Sequence, residues 1–224
     1  MSTQIKLWKI ENDKPVEVES TKLELEGNLE EWLTNDIRLI SENLLVIGNQ
    51  VETDYGGFID ILAIDVEGNL VILKLKRDKT PRDIVAQTLD YASWVVTLRS
   101  EKIIELWNNN QKEMPFDEAF REKFECELPE ILNQRHRMII VAARTDDATE
   151  RIVTYLSEIH RIDINAVTFT YYDLPDGKFL AKTSLLEEEE VQTRATSASG
   201  RLPNRTWDEL YTLAENEGVG NLFE

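Results

Sequence analysis

Gly56-Gly57-Phe58-Ile59-Asp60, followed on the next apolar run by Lys74-Leu75-Lys76, is the stretch from which the fold of this chain can be read. Phe58, Ile59, Ile61, Leu62, Ala63 and Ile64 are almost continuously apolar, as in a central strand buried on both faces. Glu67-Gly68-Asn69 forms a turn, and Leu70 to Lys76 returns as a second strand. Residues at i and i+2 of a strand project from one face, so Lys74 and Lys76 point the same way and Asp60 on the neighbouring strand can meet them. An aspartate closing a turn beside a Lys-x-Lys strand describes, on its own, an ordinary exposed surface. Here Ile59, Ile61, Leu73 and Leu75 set these charges among apolar neighbours. Charge in such surroundings is costly unless it is paired or used.

Outward from that hairpin the pattern is mixed. Ile5 to Ile10 and Pro15 to Val18, around Glu11-Asn12-Asp13-Lys14, predict a short β-hairpin. Leu25, Leu29, Trp32, Leu33 and Ile37 fall at helical spacing, which predicts a helix over Leu23 to Leu33. Leu44 to Val51 is rich in strand formers. Thr80 and Pro81 read as the cap and first position of a helix running to about Leu98. On that helix Gln87 and Tyr91 stand one turn apart and share a face. Further helices are expected at Glu101 to Asn108, Phe116 to Phe124 and Ala148 to Ile159, with strands at Met138 to Ala143, Asn165 to Tyr172 and Lys178 to Thr183. The order describes an α/β domain with a mixed sheet over residues 1–186, its first 20 residues forming the hairpin. Glu187-Glu188-Glu189-Glu190 and the small polar residues that follow read as a linker over 187–205. A short helical tail is expected over 206–224.

With 224 residues, 42% hydrophobic and 30% charged, the composition is that of an ordinary globular domain. No apolar run is long enough to cross a bilayer, the N-terminus lacks the layout of a signal peptide, and a lone Cys126 fits a reducing compartment. No membrane association and a cytoplasmic location are the expectations. A net charge of −18 argues against broad, non-specific binding to nucleic acid. Cations nonetheless concentrate at Lys74, Lys76, Arg77, Lys79 and Arg82, leaving room for a local basic mouth on an acidic body. His136 and His160 have no Cys or His at ligand spacing, which argues against zinc. Cys126, flanked by Glu125 and Glu127, lacks the electropositive setting of a reactive thiol. Trp8 could stack a base, but hairpin packing is the simpler role.

From about Leu25 to Trp94 the chain resembles the NucS-like branch of the PD-(D/E)XK nuclease superfamily. The resemblance rests on Glu-Asn-Leu-Leu-Val-Ile-Gly (42–48), Gly-Gly-Phe-Ile-Asp (56–60), Lys-Leu-Lys-Arg-Asp-Lys-Thr-Pro-Arg (74–82) and Ala-Gln-Thr-Leu-Asp-Tyr-Ala-Ser-Trp-Val (86–95). It implies a restriction-endonuclease-like core, a central mixed sheet flanked by helices, and metal-dependent hydrolysis of DNA. It further implies that Asp60 and the Leu75 carbonyl ligate Mg²⁺ or Mn²⁺ and that Lys76 acts beside the nucleophile. Gln87 and Tyr91 would line the site, with Glu26 (or Glu30) as an accessory acid. Arg77, Lys79 and Arg82 would contact phosphates. DNA would be the partner, and a homodimer is the arrangement such enzymes commonly adopt. One position departs from the pattern: the family has a metal-ligating glutamate where this chain has Lys74. An ammonium there repels a divalent cation and pairs with Asp60, so the chain is expected to be impaired in cleavage. The alternative is a non-catalytic module, binding nucleic acid or protein, on the same scaffold.

Overall fold

The computed structural model describes residues 5–21, 25–79, 83–110 and 113–198. The chain opens with a hairpin of β1 (Leu7–Glu11) and β2 (Lys14–Val18), joined by Asn12 and Asp13 at φ 49° and 60°. Two successive left-handed residues match the twist of a hairpin, and Asn and Asp are the side-chain-bearing residues that tolerate them best. Next come α1 (Leu25–Asn35), a 3₁₀ turn (Ile37–Leu39), β3 (Leu44–Glu52), β4 (Phe58–Asp65), β5 (Leu70–Lys79) and α2 (Asp83–Val95). The order continues with α3 (Ser100–Asn110), α4 (Phe116–Phe124), β6 (His136–Arg144), α5 (Asp147–Glu158), β7 (Ile164–Leu174), β8 (Gly177–Ser184) and α6 (Glu188–Ala198).

Strands β3 to β8 form one sheet in chain order. β3, β4 and β5 are an antiparallel meander, β5, β6 and β7 run parallel, and β8 returns antiparallel. Parallel neighbours need long crossovers; α2, α3 and α4 supply the first and α5 the second. Alternating residues of β4 and β5 feed two cores. Leu62, Ile64, Leu70 and Ile72 pack with Trp94, Val95, Trp107 and Phe120 of the helices on one face. Ile61, Ala63, Val71 and Leu73 pack with Leu29 and Leu33 of α1 on the other. Burial on both faces is why these strands read as unbroken apolar runs. The mixed sheet flanked by helices, with an N-terminal hairpin, is the architecture expected from the sequence. No helix among the described residues is long and apolar enough to cross a membrane.

Beyond shifts of one to three residues at other element ends, such as β5 running to Lys79 instead of Lys76, two segments differ from the sequence reading. The α2 helix ends at Val95 instead of Leu98, because the chain tightens into i→i+3 turns there: Thr97 and Leu98 N–H donate to Trp94 and Val95 carbonyls. The Asn133 amide donates to the Val95 and Leu98 carbonyls at 2.6 and 3.1 Å, satisfying groups the helix leaves open. The expected cap Thr80 and first-turn Pro81 lie outside the described residues. The second difference is α6, which occupies much of the segment that reads as linker. Its residues are mostly polar, and among its described side chains Val191 is the one buried apolar residue, so periodicity gives no sign of it. Side chains hold it instead: Lys182 to Glu188, Arg194 to Glu158, and Arg135 to Thr196. The tail expected over 206–224 lies outside the described residues.

Beneath α6 a charged cluster closes the sheet end away from Asp60. The Arg137 guanidinium lies 3.8 Å from Asp65 Oδ2 and 3.7 Å from Asp163 Oδ2, and the Gln192 amide, oriented with its oxygen inward, accepts from it at 2.9 and 3.1 Å. Burial pushes the Asp163 carboxyl up to about 6, with Arg137 and Arg135 pulling it down and Asp65 pushing it further up. A carboxyl whose folded pKa lies above its unfolded value contributes stability that is full at acid pH and lost as pH rises through the folded pKa. The native protein should therefore lose stability between about pH 4 and about pH 6.5, by roughly 1–3 kcal/mol from this group. Asp163→Asn should flatten that slope, as read from melting temperatures across the range; an unchanged slope would show that Asp163 does not titrate there.

Candidate functional site

The β4–β5 ladder stops at the Ile61–Leu73 pair, one step before Asp60 and Lys74 would face each other. Side chains fill the gap that opens. Asp60 Oδ2 accepts the Leu75 backbone N–H at 2.7 Å, a bond that the β4 backbone would otherwise make. Lys74 Nζ lies 3.0 Å from both Oδ1 and Oδ2 of Asp60. The N–H and C=O of one strand residue face the same edge, so the Leu75 carbonyl also turns toward this gap.

Gln50 closes the other side. It stands opposite Asp60, between the Asn49–Ile61 and Val51–Ile59 pairs, with φ at 49°. Its Nε2 donates to Glu30 Oε1 at 2.6 Å and reaches Asp60 Oδ1 at 3.4 Å. Glu30, on α1, is thus tied to Asp60 through one amide.

Above the pair, the Lys74 ammonium sits 5.5 Å from the centroid of the Tyr91 ring, within range of a cation–π contact. Tyr91 can lie so close because of Gly57, where a Cβ would come within 2.6 Å of Tyr91 Cε1. The Thr53–Gly57 turn is itself fixed. Thr53 N–H donates to the Gly57 carbonyl at 2.8 Å, Gly57 N–H to Thr53 Oγ1 at 3.1 Å, and Trp94 Nε1 to Asp54 Oδ2 at 3.0 Å. One helix, α2, therefore both anchors the turn that leads into Asp60 and supplies the ring over Lys74.

Asp60 is 8% exposed and the Lys74 side chain 16%. At that depth each charge depends on the other: removing one partner of a buried pair strands the second, at about 3–5 kcal/mol. Lys74, Leu75 and Tyr91 thus come together at Asp60 as the sequence places them, and Glu30 joins through Gln50. Lys76 lies two residues further along the Lys74 face and is exposed. Gln87 is exposed one turn before Tyr91. Glu26, Arg77 and Lys79 lie outside the residues whose side chains are described, and Arg82 outside the described residues altogether. Sequence reasoning misses Gln50, Thr53 and the Asp54–Trp94 bond. Only the hairpin register, which sets Gln50 opposite Asp60, could have pointed to the first of these.

The residues present do not fit a divalent cation. Mg²⁺ demands a near-octahedral set of oxygens, and Asp60 has one oxygen on a backbone N–H and both beside an ammonium. Among the described residues no group of three or more His, Cys, Asp or Glu is placed to hold a metal ion. His136, half-buried at the start of β6, and His160, which packs its ring edge-on against Tyr155, take other roles. An apolar groove of about 410 Å³, lined by Trp32, Leu39, Tyr171, Phe179 and Leu180, opens on the α1 side of the sheet, apart from the Asp60 cluster.

No protein-family model matches this chain, and no curated protein matches it. Two solved structures do. One is of an EndoMS–dsDNA2 complex, at 17% identity and a TM-score of 0.39 over 64% of this chain and 44% of that one. The other is of a repair endonuclease from Pyrococcus abyssi, at 18% identity and a TM-score of 0.36 over 65% and 47%. The match spans less than half of either protein. Likeness of this degree carries neither a family nor an activity over to this chain.

The contact of Gly57 with Tyr91 gives a direct check on the site's geometry. Gly57→Ala should cost about 1–3 kcal/mol by pushing the ring off its seat. In a Tyr91→Ala background the same change should cost much less, since nothing remains to collide with. Chemical denaturation of the four proteins measures the coupling; strictly additive losses would mean that Gly57 and Tyr91 do not touch.

Proposed function

We propose that this chain is a DNA-binding domain of the metal-dependent endonuclease type in which Lys74 silences hydrolysis. The observation that carries the reading is the 3.0 Å approach of the Lys74 ammonium to both oxygens of Asp60, at the mouth of a strand pair held open around that carboxylate. The Leu75 carbonyl, Tyr91 and the amide-linked Glu30 converge on the same spot. This is the company that the resemblance over about Leu25 to Trp94 implies for a phosphodiester-cleaving centre.

Cleaving a phosphodiester requires charge to be neutralised on a pentavalent phosphorane and a hydroxide to be generated at neutral pH. A divalent metal supplies both. An ammonium supplies only the first, because it offers no coordination position on which a water could lose its proton. Glutamate at position 74 would restore a second carboxylate beside Asp60 and release Asp60 from its ion pair. Lys76, exposed on the same strand face, would remain to act on the attacking water or the phosphorane. DNA as the substrate rests on the same motif set.

A second reading, a protein-binding module on the same scaffold, draws support from the net charge of −18, which is unfavourable for a general nucleic-acid binder. One comparison separates the two. Lys74→Glu and native protein are assayed on single-stranded, duplex and branched or mismatched DNA with Mg²⁺, Mn²⁺ or EDTA. The Lys74→Glu protein should cut, with metal only, at a rate roughly 10²-fold or more above the native chain. Asp60→Asn added to Lys74→Glu should abolish that cutting. No cleavage by a folded Lys74→Glu protein on any of these substrates would favour the interaction module.

A further inference from the structure

Asp60, Glu30, Lys74 and Lys76 gather at one sheet end, and their formal charges cancel. With a glutamate at position 74 the same four positions would carry two net negative charges, which one divalent cation would offset. A lysine is therefore the electrostatic equivalent of a glutamate together with its bound metal. The geometry agrees with the charge count. The Lys74 ammonium contacts both Asp60 oxygens, and the Tyr91 ring lies 5.5 Å from it.

We infer that Lys74 is a built-in replacement for the metal ion, so that this site receives a DNA phosphodiester without any divalent cation. The inference rests on the DNA-binding reading above and adds how the site does it. A phosphate approaching two carboxylates is repelled until a metal shields them. A phosphate approaching the Asp60–Lys74 pair meets a neutral cluster, with the exposed ammonium of Lys76 on the same strand face to accept it. Charge-assisted contacts of an ammonium with phosphate need no metal and position the backbone without reading bases. The site keeps the part of the metal's work that is electrostatic and loses the part that needs a coordinated water.

The same substitution has a consequence for folding. In the Lys74→Glu protein two carboxylates would face each other across the strand gap and repel. Divalent cations should relieve that repulsion and have nothing to relieve in the native chain.

The experiment uses the full chain, with fluorescein-labelled single-stranded and duplex oligonucleotides as probes, at matched ionic strength in EDTA or in Ca²⁺, which supports binding without cutting. Native protein should bind with an affinity that differs by less than about threefold between the two conditions. The Lys74→Glu protein should bind at least about tenfold more tightly in Ca²⁺ than in EDTA. Mg²⁺ should raise the melting temperature of the Lys74→Glu protein and leave that of the native chain unchanged, a readout independent of DNA. Lys74→Gln, neutral and close in size, serves where Lys74→Glu does not fold; it should bind more weakly than native in both conditions. Native binding that requires Ca²⁺, or a native melting temperature that rises with Mg²⁺, would overturn the inference and leave the endonuclease-type reading standing. Absence of binding by every folded form in both conditions would overturn that reading, and the inference with it.

Discussion

The ion pair between Lys74 and Asp60 is the interaction on which the rest of this end of the molecule depends. Two antiparallel strands part company after Ile61 and Leu73, and an opening between central strands leaves backbone groups without partners unless something fills it. Asp60 fills it by taking the Leu75 N–H, and that places a carboxylate where water hardly reaches. A carboxylate so placed needs a cation. In a site built for catalysis that cation would arrive from solution; in this chain it is tethered to the neighbouring strand. The gap, the carboxylate and the lysine are one arrangement, and changing any of them alone strands the other two.

The scaffold around the pair is arranged to hold it still. Two apolar layers clamp β4 and β5, so neither strand can shift to close the opening. The α2 helix reaches across with Trp94 to pin the Thr53–Gly57 turn and with Tyr91 to cover Lys74, which makes turn, helix and strand gap a single unit. The far end of the sheet is treated differently. There a half-buried arginine is shared among Asp65, Asp163 and Gln192, and a polar helix closes over it. Both ends of the sheet hold charge, and the Asp60 end does so beside an exposed lysine on the same strand face.

Much of this was legible in the sequence, and for physical reasons. Strands buried on both faces must be apolar almost throughout, so Asp60 and Lys74 stand out in Phe58–Lys76 as charges that something must neutralise. Helices α3, α4 and α5 announce themselves by spacing, since each has one face in the core. What was not legible depends on partners distant in sequence. Gln50 is an unremarkable polar residue until the register sets it opposite Asp60. The bond between Asp54 and Trp94 joins residues of two elements that composition cannot relate. The α6 helix is hidden because its attachment is polar: Gln192, Arg194 and Thr196 find their partners on β6, α5 and the loop before β6, whereas an apolar stripe would have shown a period. For function the sequence offers a motif resemblance, and the proposal made from it turns on the chemistry of Lys74 beside Asp60.

The central claim, that the cation of this site is Lys74 itself, is tested most directly by a crystal structure of the native chain grown in Mn²⁺, with anomalous data collected at the manganese edge. The account predicts no anomalous peak beside Asp60, with Lys74 Nζ within hydrogen-bond distance of both carboxylate oxygens. A manganese ion on Asp60 and the Leu75 carbonyl, with Lys74 swung aside, would contradict it.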